Sequence, residues 1–368
     1  MLKTINEGSA RLKIPKSEKI FKSMGVFYNP VMALNRDISV LLLNSTNKNN
    51  LQIADPLAAT GVRSIRFLKE LGNNKIKKIY INDYDNNAIK LIKQNLTLNK
   101  TNYKNNPKIS ISSQDANLFL LNSTGFDYID IDPFGNPNYF LDSASKRLAR
   151  DGILAVTATD TSALCGTFPK ACIRKYWAIP NKDAIMHETG LRILIRKIQL
   201  IAAQYDKALI PVFSYAKEHY MRAFLSNEKG KNKVNGVMKL HGHFNGAGPM
   251  WLGNLWNIGL ANKIYNNSTG NEILSQNKEL IKFLKIIKEE SQINVTGFYD
   301  LHDICKKNKI NNLQKKEKIM GKIKKAGYKV SNTHFKGEGI RSNIPYLKLV
   351  NLIKTSEFQW NSGLIKNQ

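Results

Sequence analysis

Apolar positions along this chain keep two alternating rhythms. Short apolar runs at 51–54, 78–82, 109–112, 126–132 and 153–157 read as strands. Between them, apolar residues return at helical spacing. Val62, Ile65, Phe67 and Leu68 mark a helix over 61–71, Ala88, Ile89, Ile92 and Leu96 one over 86–99, and a third spans 139–148. Strands alternating with helices predict an α/β fold, a mostly parallel, doubly wound sheet covered on both faces. In such sheets ligands sit at the carboxyl ends of the strands. Ahead of this region, 7–15 suggests a short strand pair or arm, and a helix is expected after Pro30, a residue suited to a first helical turn. Beyond it, a polar, glycine-punctuated loop over 158–169 precedes a long helix from His187. Runs at 209–215 and 220–225 read as a closing strand pair.

The rhythm changes after residue 226. A charged, linker-like run covers 227–235, and 242–259 is rich in Gly, with Trp251 and Trp256 as packing aromatics. An amphipathic helix follows at 279–290, then short helices at 301–307 and 315–326 and a strand or wing over 327–335. Helix, helix and wing with many lysines suggest a small nucleic-acid-binding module. Two domains are expected, 1–226 and a smaller α+β unit at 227–368, which suits a chain of 368 residues.

Charge sharpens this picture. Lys and Arg total 56 against 28 Asp and Glu, a net charge of +28 that calls for a polyanionic partner, most simply nucleic acid. The 3 cysteines give neither a disulfide framework nor a zinc signature. Cys165 and Cys172 read as reduced core thiols, since no base stands beside Cys165 in sequence, and this fits a cytoplasmic protein. No run approaches about 18 apolar residues, so no membrane span is expected. His241 and His243 have no Cys or acid nearby to complete a metal site.

Candidate chemistry gathers at the strand ends. Asp55, Asp83, Asp115 and Asp132 end or follow four successive strands. The loop after Asp55 is small-residued but lacks G-x-G-x-x-G, which disfavours a nicotinamide cofactor. Asp83 is placed to take two ribose hydroxyls, and Asp115 with the Ala116 N–H to read adenine. The run Asp132-Pro133-Phe134-Gly135 stops a buried strand at a carboxylate, because proline forces the residue before it to be extended. An acid, a proline and an aromatic ring there form a grip for a planar amino group.

These motifs identify a resemblance. The chain is similar to the S-adenosylmethionine-dependent tRNA (guanine-26 N2)-dimethyltransferases, at residues 27–37, at Ala59-Thr60-Gly61-Val62-Arg63, at Asp132-Pro133-Phe134-Gly135, at Thr157-Ala158-Thr159-Asp160 and at Leu164-Cys165-Gly166. Weaker likeness continues at residues 248–253 and 333–335. The resemblance implies a class I, Rossmann-like methyltransferase fold. It implies that Arg36, Arg63, Asp83, Asp115 and Ala116 contact the methyl donor, and that Asp132 and Phe134, with Phe27, hold the guanine. Some family members carry a cysteine-rich zinc element in the second domain; here 233–245 has no Cys, so no metal is expected. The expected partner is tRNA, and the expected state a monomer. Two alternatives stay open on the residues alone: methylation of another amino group in RNA, DNA or protein, and a non-catalytic RNA-binding protein on this scaffold.

Overall fold

A computed structural model describes residues 2–16 and 26–361. It opens on a hairpin of β1 (Leu2–Glu7) and β2 (Ala10–Pro15), in which Ala10, Leu12 and Ile14 alternate inward. A 3-10 turn at Pro30–Met32 leads into α1 (Ala33–Ser45). Then β3 (Leu51–Asp55), α2 (Val62–Glu70), β4 (Ile76–Asp83), α3 (Asn86–Leu98), β5 (Ile109–Ser113), α4 (Ala116–Leu121), β6 (Phe126–Ile131), α5 (Asn138–Arg147) and β7 (Leu148–Ala158) alternate; the apolar rhythm predicts all of these except the short α4. Next come α6 (Thr161–Leu164), α7 (Pro169–Tyr176), α8 (Met186–Ala203), β8 (Lys207–Lys217) and β9 (Tyr220–Lys229).

The central sheet has seven strands in the order β5-β4-β3-β6-β7-β9-β8. All neighbours are parallel except β9, which runs antiparallel to both β7 and β8. Chain order reverses between β3 and β6. The crossovers therefore leave that point in opposite directions and open a crevice at the carboxyl ends of those two strands.

The rest of the chain packs on this core or beside it. It comprises α9 (Lys231–Met238), β10 (His241–Phe244), β11 (Ala247–Trp251), α10 (Ile258–Gly270), α11 (Lys278–Glu290), β12 (Tyr299–Asp300), α12 (Leu301–Lys307), α13 (Lys316–Lys325), β13 (Val330–Asn332), β14 (Gly339–Ser342) and α14 (Tyr346–Asn361). The expected boundary after residue 226 falls inside β9, and apolar residues as far as Ile287, with Phe298 and Phe335, join the first core. A second, smaller core runs from Leu301 to Ile353. Buried charges lash the two together: Glu188 of α8 pairs with Arg192 at 2.8 Å and Arg341 at 2.6 Å, and Arg341 pairs in turn with Glu290 at 2.9 Å.

Three stretches depart from expectation. The linker-like run ends β9 and starts α9, whose buried Val234 and Val237 are three apart among lysines and asparagines. The loop after Thr157 contains α6 and, from Pro169, α7. The wing becomes part of a three-stranded sheet, β12-β14-β13. No described helix is long and apolar enough to cross a membrane, and no described group of three or more His, Cys, Asp or Glu is placed to hold a metal ion.

One acid of the hairpin, Glu7, ties it to α1 and α2. Glu7 Oε1 and Oε2 each accept from Arg36 at 2.6 Å, Oε2 also from the Tyr28 hydroxyl at 2.8 Å, and Arg66 lies 3.2 Å away. Burial pushes this carboxyl up, but Arg36 and Arg66 outweigh it and hold it down to about 2. An acid depressed on folding adds stability above its unfolded pKa and loses it as pH falls through the folded value. Glu7→Gln is expected to cost about 3 kcal/mol at pH 7. In denaturant melts, the gap to the unsubstituted protein should narrow as pH falls from about 5 towards 2.

Candidate active site

The crevice at the reversal point holds a cavity of about 700 Å³. That lies within the range of small-molecule sites, about 300–1,000 Å³. Three of the four strand-end acids, Asp55, Asp83 and Asp132, line it, together with Arg36, Arg63, Phe27, Pro133 and Phe134. Asp115 and Ala116 do not. Asp115 caps α4, its Oδ1 accepting from the N–H groups of Asn117 and Leu118 at 2.9 and 3.2 Å, and Ala116 is buried behind it.

Each acid is positioned by its own loop. The segment after β3 turns back so that the Ala59 N–H reaches Asp83 Oδ2 at 2.8 Å, while the Asp85 N–H meets Oδ1 at 3.0 Å. A carboxylate has about four lone-pair sites. Asp83 thus keeps acceptor capacity on both oxygens; burial pushes its carboxyl up. Gly61 ends the first loop at φ 75°, where a Cβ would also press on Ile92 at 3.1 Å. Asp55 is buried and accepts from the Ser64 hydroxyl at 2.7 Å. Burial raises it to about 7, against the pull of Arg63 and with a push from Asp130.

Asp132 is half-buried, its side chain 22% exposed. Its Oδ2 pairs with Arg63 Nη2, and no described residue hydrogen-bonds Oδ1. Arg63 is fixed in turn: Nη1 donates to Asn35 Oδ1 at 3.0 Å and Ser39 Oγ at 2.9 Å, and lies 3.3 Å from Asp130 Oδ2. Asp130 takes both arms of Arg222, at 3.0 and 2.6 Å, and the Tyr128 hydroxyl at 2.6 Å. Burial pushes the Asp130 carboxyl up, yet Arg222 and Arg63 prevail and hold it below its usual range. The loop beyond Asp132 is stapled to the end of β7: the Gly135 N–H donates to Thr159 Oγ1 at 2.7 Å, and the Thr159 N–H to the Gly135 carbonyl at 2.9 Å. Gly135 has φ 78° and open space around it, so backbone conformation alone demands glycine there.

Two expected contacts take a different form. Arg63 and Arg36, assigned to the methyl donor by resemblance, line the cavity but spend their guanidiniums on Asp132 and Glu7. Phe27 and Phe134 do meet, but each other: their rings are 4.0 Å apart and inclined by 66°. A base between two stacked rings needs them about 7 Å apart.

Sequence reasoning missed Tyr128, Asp130 and Arg222 beneath the site, and Thr159, His219 and Tyr220 in its wall. A signal for the first group existed. Tyr128, Asp130 and Asp132 lie two apart, on the face of a strand opposite Ile129 and Ile131, and a buried acid needs a cationic partner. The fold also supplies the base that Cys165 lacked in sequence, placing His187 Nδ1 3.5 Å from its Sγ. Burial pushes that thiol up to about 12 and the imidazole down, so both are neutral near pH 7, with Cys165 in the core and His187 half-buried beside it.

A doubly wound sheet of this order, with acids at the carboxyl ends beside its reversal point, is that of a Rossmann-like methyltransferase. Comparison with known proteins narrows the class. The family model for N2,N2-dimethylguanosine tRNA methyltransferase matches residues 8–245 and 236–354. A tRNA (guanine(26)-N(2)/guanine(27)-N(2))-dimethyltransferase of Aquifex aeolicus is 37% identical over 94% of each chain. A tRNA (guanine(26)-N(2))-dimethyltransferase of Pyrococcus horikoshii is also 37% identical, over 95% of this chain and 97% of that one. The solved structure of Trm1 from Pyrococcus horikoshii, a complex with S-adenosyl-L-methionine, superposes with a TM-score of 0.87 at 35% identity, over 96% of this chain and all of that one. The chain belongs to the N2,N2-dimethylguanosine tRNA methyltransferase family.

The buried Asp55 sets a pH dependence. A carboxyl raised to about 7 on folding holds a proton that the unfolded chain, at 3.8, has already lost. Stability therefore declines as pH rises from about 4 to about 7 and levels off above. The Asp55→Asn variant should lack this component, gaining up to about 4 kcal/mol on the unsubstituted protein between pH 4 and pH 8. Paired thermal melts across that range measure it.

Proposed function

We propose that this protein transfers methyl groups from S-adenosylmethionine to the exocyclic N2 of guanine 26 in tRNA. The observation that carries this reading is Asp132: a carboxylate at the carboxyl end of β6, one oxygen held by Arg63 and the other without a hydrogen-bond partner among the described residues, in the wall of a cavity that also contains Asp83 and Asp55. The names of the relatives support the substrate and the donor.

The donor supplies an electrophilic methyl carbon on a sulfonium. Asp83, with acceptor capacity left on both oxygens, would take the ribose hydroxyls. Guanine N2 is a weak nucleophile because its lone pair is delocalised into the ring. Asp132 Oδ1 accepts an N2–H hydrogen bond, turns the lone pair towards the methyl carbon and favours the positive charge that grows on N2. One N2 proton is lost for each methyl gained, and it is released beside Asp132. Phe134 and Phe27 stack on the base once they have parted, at roughly 1–3 kcal/mol per contact. Position 26 lies within folded tRNA, so the base has to be extruded to reach the cavity.

The C-terminal part, residues 227–368 as divided above, would hold the tRNA body. Its α13 carries Lys316, Lys318, Lys322, Lys324 and Lys325 over buried Ile319 and Ile323, a cationic face on an apolar seat.

Asp132→Asn should lower the turnover of tRNA methylation by about 100- to 1,000-fold. Calorimetry should find donor and tRNA affinity unchanged; turnover equal to that of the unsubstituted enzyme would remove Asp132 from the chemistry. Asp83→Ala should instead raise the donor dissociation constant by about 10- to 100-fold. An unaltered constant would show that the ribose binds elsewhere. Digestion of the product tRNA, with mapping of the labelled nucleoside, tests the site and base together.

A further inference from the structure

Beside the cleft, one surface combines exposed apolar side chains with a run of positive charge. The region of α7 exposes Phe168, Ile173, Trp177 and Ile179, with Trp177 49% accessible. Residues 169–182 contain Lys170, Arg174, Lys175 and Lys182 and no carboxylate.

Trp177 is held in an unusual way. It sits at the C-cap of α7 with φ 58°, the left-handed region where glycine is the default and a bulky side chain enters at a cost. A strained, solvent-facing indole is a marker of function rather than of packing. Its position is nonetheless firm. The Lys197 ammonium lies over the ring, 2.8 Å from its centre. Arg196 Nη1 donates to the Trp177 carbonyl at 3.2 Å, and Ile179 exchanges two backbone hydrogen bonds with Gly248, each of 2.8 Å.

The same element is tied to the cavity. Asn138, just past the Asp132 loop, donates to the Lys175 carbonyl at 2.8 Å. Lys175 pairs at 2.8 Å with Asp160, the neighbour of Thr159 in the cavity wall.

We propose that Trp177 is a stacking platform for an unpaired base of the tRNA substrate, with Lys170, Arg174 and Lys182 meeting the adjoining phosphates. The inference rests on the tRNA reading above and adds to it a surface outside the target-base cavity. A rigid indole backed by a cation offers a flat π face to any base, and the surrounding charge complements the backbone.

Trp177→Gly separates this role from a structural one, because glycine suits the left-handed cap. Its melting temperature should not fall, while the dissociation constant for tRNA should rise roughly 5- to 150-fold. Trp177→Phe should restore most of the affinity. Turnover at saturating tRNA and donor affinity should not change, so the loss appears in KM alone. Arg174→Ala should lower the slope of log affinity against log salt by about one. A glycine variant that binds tRNA normally while guanine 26 is still methylated overturns the platform and leaves the enzyme reading intact. So does a change in self-association of the free protein with RNA affinity unaltered. An unsubstituted protein that binds no tRNA removes both.

Discussion

The carboxylate at the end of β6 stands on charges that do not reach water. Asp130 is buried, and removing such a group from solvent costs several kcal/mol unless its partners are well placed. Here Arg222 reaches it across β7 from β9, Arg63 comes from α2, and Tyr128 from its own strand. Two arginines and two aspartates balance, so the cluster bears no net charge. Its members are drawn from α1, α2, β6 and β9, and Asp132 acquires its orientation only when all four have docked. Geometry at Asp132 is thus set by closure of the whole sheet.

Much of this architecture was legible beforehand, because a parallel sheet buried on both faces leaves continuous apolar strands in the sequence. Strands β3 to β7 and the longer helices between them, though not the short α4, announce themselves that way, as do the acids at their ends. What stayed hidden has two physical causes. Elements such as β14, with only Ile340 as an apolar side chain, exist because a neighbouring strand supplies hydrogen bonds. Contacts such as Arg222 with Asp130 join residues 92 apart, and no local pattern reports them. Arg36 and Arg63 show the limit of resemblance: a motif locates a guanidinium in the cavity wall but does not say which anion holds it.

The C-terminal part is joined to the catalytic core by the same means. Glu188 and Glu290 are buried acids on α8 and α11, bridged by Arg341 from β14. An arginine of that kind cannot let go of one carboxylate without leaving it unpaired in a low-dielectric setting. The two cores are therefore held together through buried charge.

The contact between Phe27 and Phe134 has an outcome for substrate choice. Their rings close on each other, and an aromatic pair of this kind is worth about 0.5–1.5 kcal/mol. A visiting nucleoside must wedge them apart with only its own few contacts to draw on. A folded polynucleotide anchored elsewhere on the protein can meet that demand from distant binding energy. In the role proposed for these rings, the shut pair would act as a filter against the cell's pool of free guanosine and its phosphates, admitting a purine only when it arrives attached to something large.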